Sequence, residues 1–360
     1  MKLHLDKDAF RVLIEDIHSK TGYRTDVLEK DYYVALVLKE LADKQSTGLP
    51  AYFKGGTALY KALKTTNRFS EDIDLSVDTR ECTRTQNNKR LEAATKKYAA
   101  LQRDSSLGKT NRSEVISVYH YEPLTAYDAD DALQRFGLLK IEATSFTISE
   151  PVESLEIAPM LYDLATAEQK AILETQYDVR PFSVMTITME RIFIDKLFAA
   201  ESYVRKSADP HRAFEAAKHI YDLAVMERHP KIVSLLSDTQ KMKQLLDIRM
   251  TEEQGRLDGI PGVYPNTFTF FDDAENCAAV RTAYEIMQRQ YVLRASDRIA
   301  FDTACESLKR LQVSLLQNTA WKNYAPEKQS VLSKLQTAQL QLDTAPASKP
   351  TKKNRDGWER

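Results

Sequence analysis

The strongest constraint on the fold is a short apolar run that ends in two glycines and precedes an Asp-x-Asp sequence. The run covers 51–54 and leads into Gly55 and Gly56, and the acidic residues are Asp72 and Asp74. Apolar and polar residues alternate around the second aspartate, which predicts a half-buried strand. Residues two apart in a strand share a face, so the two carboxylates are expected to point the same way, about 7 Å apart.

The parts of this segment fit one kind of chemistry. Two carboxylates on one face suit Mg²⁺, which prefers oxygen ligands and would polarise the phosphates of a nucleoside triphosphate. The glycines let the backbone approach the triphosphate, and the helix predicted over 55–63 begins with unpaired N–H donors. Thr57 and Ser70 are candidate hydroxyl donors. Each part alone is common in surface turns, but their combination in this order favours nucleotidyl transfer.

The pattern along the chain predicts a mixed fold with a helical second half. Periodic apolar residues predict two N-terminal helices, and the chain is almost wholly helical in character from Thr186 onward, ending in an amphipathic stretch over 296–342. The stretch 85–112 is polar, rich in Lys and Arg, and helical in composition. Strands are predicted at 51–54, 73–77, 115–121 and 138–147, so they cluster between about 51 and 150.

Charge and cysteine content exclude several classes of protein. The 360 residues carry a formal net charge of -1, so any nucleic-acid surface must be local, and the stretch 85–112 is its best candidate, although a solvated helix face looks the same. Three widely spaced cysteines fit a reducing cytoplasm without a zinc site. The six histidines show no metal-ligand spacing and are interpreted as structural or surface residues. No apolar window is long enough to span a membrane, which predicts a cytoplasmic protein without a membrane partner.

These motifs resemble the AbiEii family of nucleotidyltransferase toxins, the toxin half of type IV toxin–antitoxin pairs, and the MenT toxins are similar. The first motif consists of Gly55, Gly56, Thr57, Ala58 and Leu59 with Arg68, Ser70, Asp72, Ile73 and Asp74. The similarity extends over roughly 20–230 and includes Glu29, Lys30, Asp31, Tyr32, Lys140, Ile141, Glu142, Glu190, Asp195, Lys196, Leu197, Tyr221, Asp222 and Leu223.

The resemblance implies an α+β fold, with a polymerase-beta-like nucleotidyltransferase core and a large helical C-terminal portion. The expected division is a core with N-terminal helices over 1–150, a helical domain contributing to the active site over 151–343, and a disordered tail over 344–360. The implied activity is Mg²⁺-dependent transfer of a nucleotide from an NTP to an acceptor. The similarity to the MenT toxins implies that this acceptor is the 3′ end of tRNA or another RNA. That transfer would block translation. The resemblance also implies a cognate antitoxin as partner and a role in phage defence.

The resemblance also implies which side chains form the site. Ser70 and Asp72 would belong to the triphosphate and metal site, with Asp74 as the other metal ligand, and Lys196 and Asp222 would complete it from the helical portion. The residues alone leave alternatives open, because the Lys196 stem could simply pack on the core and Asp222 could pair with Lys218, four residues earlier.

Three further points stay open in the sequence. Glu142 alternates with apolar neighbours and is a candidate acceptor of the hydroxyl proton, but an exposed edge strand would look the same. The charged run 29–31 is either self-paired along its helix or a buttress of the site. Lys218 and His219 stand where the family often has Arg-Asp, which bears on specificity. The alternative functions are transfer to a protein or small molecule, and nucleotide binding without turnover.

Overall fold

The chain folds around a seven-stranded mixed sheet, and helices make up most of the rest. The computed structural model describes residues 2–111, 113–125, 136–255 and 263–325. The strands are β1 (Ala51–Lys54), β2 (Ile73–Val77), β3 (Gln102–Thr110), β4 (Glu114–His120), β5 (Leu138–Thr144), β6 (Val152–Ile157) and β7 (Phe182–Ile187). The helices are α1 (Lys7–Thr21), α2 (Thr25–Ser46), α3 (Gly55–Lys61), α4 (Arg84–Thr95), α5 (Met160–Asp163), α6 (Ala167–Gln176), α7 (Met189–Arg205), α8 (Pro210–Met226), α9 (Pro230–Ser237), α10 (Thr239–Gly255), α11 (Phe270–Asn276), α12 (Ala278–Tyr291), α13 (Phe301–Gln317) and α14 (Thr319–Lys322). The α+β class and the helical C-terminal portion are confirmed.

The sheet order brings the acidic motif to the centre of the fold. The strands follow the order β3-β4-β5-β2-β1-β7-β6, in which β2 runs parallel to β5 and β1 runs parallel to β7. In this register Asp74 lies beside Lys54 on one side and beside Glu142 on the other. A parallel pair needs a crossover, so residues far apart in sequence meet at the ends of these strands.

Apolar stripes at helical spacing pack the helices on the sheet and on each other. In α1 the buried side chains Phe10, Ile14 and Ile17 form one face. The helix ends at Gly22, which adopts a φ of 74° without strain because glycine has no Cβ. Helix α2 packs against β7, and α4 packs against β2, β4 and β5. Helix α8 packs against α7, α12 and α13, so it forms the centre of the helical portion.

Two predictions of secondary structure are wrong. The second half of the stretch 85–112 is strand β3 and not helix, because pairing with β4 at the edge of the sheet decides its conformation. Its residues are exposed on both faces, so no alternation of apolar and polar residues signals a strand. Strands also continue beyond 150, since β6 and β7 join the same sheet next to β1.

The described residues up to Tyr324 belong to one compact unit. The boundary proposed at 150 stays a prediction, although β6 and β7 follow it and still pair within the sheet. The predicted stretch 296–342 begins as α13 and α14, and its part beyond 325, like the predicted tail 344–360, lies outside the described residues. Among the helices that the structure describes, none is long and apolar enough to cross a membrane.

Candidate active site

The turn between β1 and α3 lies directly against the acidic motif. Gly55 has a φ of 77°, and a Cβ at this position would lie 2.2 Å from Oδ2 of Asp74. A Cβ on Gly56 would lie 2.9 Å from Nη2 of Arg68 and 2.9 Å from Oγ of Ser70. Both positions therefore require glycine if these three side chains are to keep their places.

Three carboxylates and two lysines line one cavity near the start of β2. Asp72, Asp74 and Glu142 all line one cavity, as the strand spacing predicts for the two aspartates. Lys140 Nζ lies 3.0 Å from Oδ2 of Asp72 and 3.5 Å from Oε2 of Glu142. Lys54 lines the same cavity and is the cross-strand neighbour of Asp74. The carboxylates are therefore balanced by two lysines.

The carboxyl group of Asp74 has a raised pKa. Burial, together with the negative charges of Glu142 and Asp72, raises its pKa to about 7, against the opposing effect of Lys54 and Lys140. A cation bound at these oxygens would favour the ionised form, so the site is poised to bind positive charge near neutral pH.

Asp222 joins two cations, Arg68 and Lys196, that are far apart in the sequence. Its Oδ1 and Oδ2 accept from Nε and Nη2 of Arg68 at 3.0 and 2.9 Å, and its Oδ2 lies 2.6 Å from Nζ of Lys196. Burial would raise its pKa, but the two cations hold the pKa of Asp222 well below its usual range. Lys218 pairs with Glu215 instead, so the alternative in which Lys218 pairs with Asp222 is not the one that the structure shows.

The contacts of Asp222 separate it from the side chains that face the cavity. The residue is fully buried and does not line the cavity, whereas Arg68 and Lys196 do. Both of its oxygens are already occupied by these cations. Asp222 therefore holds two cations toward the cavity, and its predicted role as a catalytic carboxylate stays a prediction.

Thr57 connects two residues of the acidic motif, Ser70 and Asp72, through its hydroxyl group. The side chain is fully buried, and its Oγ1 donates to the backbone oxygen of Asp72 at 2.5 Å and lies 3.0 Å from Oγ of Ser70. A hydroxyl in this position orients Ser70, which does line the cavity. The Thr57 hydroxyl is thus bonded within the protein, and its predicted contact with a nucleotide stays a prediction.

The cavity is large enough for a nucleotide and part of an acceptor. Its volume is about 790 Å³, and it extends from the carboxylates to a second group of side chains on α7 and α8. There Tyr203 stacks on His219 with ring centroids 5.4 Å apart, and the guanidinium of Arg212 lies 5.4 Å from the Tyr203 ring. Burial, reinforced by the charge of Lys196, lowers the pKa of His219 well below its ordinary value, so its ring is neutral.

The donor set fits a divalent cation that is completed by its substrate. Within the described part of the chain, no three His, Cys, Asp or Glu side chains converge on a point that could hold a metal ion. Mg²⁺ is usually held by one or two carboxylates, with phosphate oxygens and water filling the other positions. Asp72 and Asp74 would supply the two carboxylates, which is the pair that the sequence predicted.

The charged run 29–31 is not self-paired, so that interpretation is wrong. The ammonium of Lys30 donates to Glu71 Oε2 at 2.8 Å, next to the acidic motif. The carboxylate of Glu29 accepts from the backbone N–H groups of residues 124 and 125. Asp31 pairs with Lys61 at the end of α3 at 2.6 Å. These contacts fix α2 against the elements that carry the site.

Several cavity residues were absent from the predicted site. Lys140 is two residues before Glu142 on the same strand, so the strand period alone would have placed it on the same face. Arg68 belongs to the first motif, which gives it no role of its own, and the sequence offers His219 only as a structural or surface residue, whereas both line the cavity. None of the basic side chains in the described part of 85–112 lines the cavity.

The residues that line this cavity lie within a region that matches a known protein family. The family model described as nucleotidyl transferase AbiEii toxin, type IV TA system, matches residues 37–307, a range that includes every lining residue. No curated protein matches the chain. Among solved structures, MenT4, a nucleotidyltransferase toxin from Mycobacterium tuberculosis, is 16% identical with a TM-score of 0.39, covering 84% of this chain and 99% of that chain. JHP933 from Helicobacter pylori is 15% identical with a TM-score of 0.38, covering 90% of this chain and 100% of that chain.

Proposed function

The chain belongs to the AbiEii family of nucleotidyltransferase toxins, and from this premise we propose that it transfers a nucleotide from an NTP to the 3′ end of tRNA. Membership of a type IV toxin–antitoxin family implies a cognate antitoxin as partner. We further propose that the transfer depends on Mg²⁺ and blocks translation by modifying the end of the tRNA that must accept an amino acid.

One observation carries the proposal. A single cavity combines the paired carboxylates Asp72 and Asp74, the close-approaching backbone of Gly55 and Gly56, and the inward-held ammonium of Lys196. Carboxylates alone would repel a triphosphate, and cations alone would bind it without favouring transfer. Both kinds of group, facing one space, support phosphoryl chemistry on a nucleotide.

Each side chain has a role that its environment supports. The backbone at Gly55 and Gly56 lies open to the phosphates, and Ser70 supplies a hydroxyl donor beside it. Lys196 offers positive charge to the triphosphate. When bound, a divalent cation would supply Lewis-acid stabilisation of the phosphates and of the departing pyrophosphate. Glu142 lines the same cavity and would accept the proton of the attacking hydroxyl.

The acceptor is proposed to enter from the α7–α8 side of the cavity. Lys206 and Arg212 are exposed there, and neither forms an ion pair with another described residue. Phosphate contacts need cations without a sequence pattern, and Tyr203 adds an aromatic ring beside them. The stretch 85–112 stays a proposed surface for more distant parts of an RNA, since its described residues do not line the cavity.

The test is incubation of the purified protein with Mg²⁺, total tRNA and each α-labelled NTP in turn, resolved on a denaturing gel. Label on tRNA that disappears in Asp72→Ala and persists in Asp78→Ala is the expected result, since Asp78 follows the same strand but lies outside the cavity. Label that resists ribonuclease and migrates with protein would instead indicate a protein acceptor. No pyrophosphate release with any NTP and RNA would contradict the proposal and favour nucleotide binding without turnover.

A further inference from the structure

The ammonium of Lys140 lies where positive charge is most needed in the cavity. Its Nζ is 3.0 Å from Oδ2 of Asp72 and 3.5 Å from Oε2 of Glu142. The parallel register pairs Ile73 with Ile141, so Asp72 and Lys140 stand next to each other one residue before that pair. The backbone register alone thus places residues 72 and 140 on neighbouring strands.

This ion pair is built so that it can open. The side chain of Lys140 is 37% exposed and that of Asp72 is 43% exposed, so water is available to both groups when they separate. Lysine carries its charge on a flexible four-carbon stem, and half-exposed ion pairs of this kind contribute little to stability. By contrast, the ion pair between Lys196 and Asp222 has side-chain exposures of 6% and 0%.

We propose that Lys140 is a built-in counter-cation, which neutralises the carboxylates until a divalent cation displaces it and which then turns its ammonium to the triphosphate. This inference rests on the proposed function, because it takes Asp72 as a metal ligand. The two cations compete for the same oxygen, Oδ2 of Asp72. Lys140 therefore weakens metal binding in the absence of nucleotide and strengthens nucleotide binding once the metal is present.

The proposal makes two predictions of opposite sign for Lys140→Met, which keeps the length of the stem and removes the charge. Titration with Mn²⁺, followed by the electron paramagnetic resonance of the free ion, should show a dissociation constant about tenfold lower than that of the wild type. With Mn²⁺ at saturation, binding of a non-hydrolysable NTP analogue should be about tenfold weaker than in the wild type.

The matched control is Lys89→Met, which removes the same charge from an exposed position outside the cavity. It should leave both dissociation constants unchanged. Equal or weaker Mn²⁺ binding by Lys140→Met than by the wild type overturns the inference, as does unchanged binding of the analogue.

Asp72→Asn separates this inference from the proposed function. If Asp72→Asn loses Mn²⁺ binding but Lys140→Met binds Mn²⁺ no tighter than the wild type, the inference fails and the proposed metal site stands. If Asp72→Asn binds Mn²⁺ as tightly as the wild type, the proposed metal site itself is wrong. In the double variant, removing Lys140 should give no gain in Mn²⁺ affinity over Asp72→Asn alone.

Discussion

Replacing Asp222 by asparagine tests whether this residue positions two cations or takes part directly in catalysis. The substitution keeps the shape of the side chain and removes the charge that Arg68 and Lys196 share at 2.6 to 3.0 Å. Removing one partner of a buried ion pair typically costs about 3–5 kcal/mol, because it leaves charge buried without compensation. Asp222 is fully buried and Arg68 is 3% exposed, so water cannot replace the lost contacts.

We therefore expect Asp222→Asn to lower the free energy of unfolding by about 3–5 kcal/mol. For a chain of this length, this corresponds to a fall in the unfolding temperature of roughly 4–7 °C. Thermal unfolding followed by circular dichroism measures the difference. A second substitution, Lys196→Met, removes one of the two cations and should recover part of the lost stability in the double variant.

The control is Asp302→Asn, since Asp302 pairs with Arg281 at the surface and its side chain is 71% exposed. Its unfolding temperature should stay within about 2 °C of the wild type, because exposed ion pairs contribute little. If Asp222→Asn loses transferase activity but unfolds within about 2 °C of the wild type, the positioning role is refuted. The carboxylate would then act in the reaction itself.

Three further substitutions test the turn, the perturbed carboxyl group and the buttress. Gly55→Ala should abolish transfer, because its Cβ would lie 2.2 Å from Oδ2 of Asp74, whereas Gly48→Ala, also at positive φ but with nothing within 4 Å, should only lose some stability. In the folded state the pKa of Asp74 is about 7, whereas in the unfolded state it is about 3.9. Between about pH 3.9 and pH 7 the folded state therefore binds more protons than the unfolded state, and the stability of the protein falls as the pH rises through this range. In EDTA, Asp74→Asn should therefore unfold at a higher temperature than the wild type at pH 8, with a smaller gap at pH 5; the opposite order would contradict the raised pKa. Lys61→Met should lower the free energy of unfolding by about 3 kcal/mol, measured by urea denaturation, because it leaves Asp31 without its ion pair at 1% exposure.

The features that could be predicted from sequence are those that depend on local period. The alternation around Asp74 places Asp72 and Asp74 in one cavity, and the same rule applied to Glu142 would have found Lys140. Helices with clear apolar stripes, such as α1 and α8, were found for the same reason. Edge strand β3 has no such stripe, because neither of its faces is buried.

The features that could not be predicted depend on pairing across long sequence separations. Sequence neighbours offered Lys218 as the partner of Asp222, but the partner that the fold supplies is Arg68, 154 residues away. The contact between Lys140 and Asp72 requires the parallel register of β2 and β5, which no local pattern specifies. The burial of Asp222 follows from the packing of α8 against three other helices.

The ion pair between Arg68 and Asp222 has a consequence for how the protein is made. The two residues are 154 positions apart. Translation adds about 5–20 residues per second, so roughly 8 to 31 s separate the synthesis of one from that of the other. From the translation of Glu142 onward, about halfway through this interval, the nascent chain carries both glycines and all three carboxylates, but it still lacks α7, which carries Lys196, and α8, which carries Asp222. The cavity cannot be completed until α8 has been translated, so no fragment that stops before that helix assembles the full site on the ribosome.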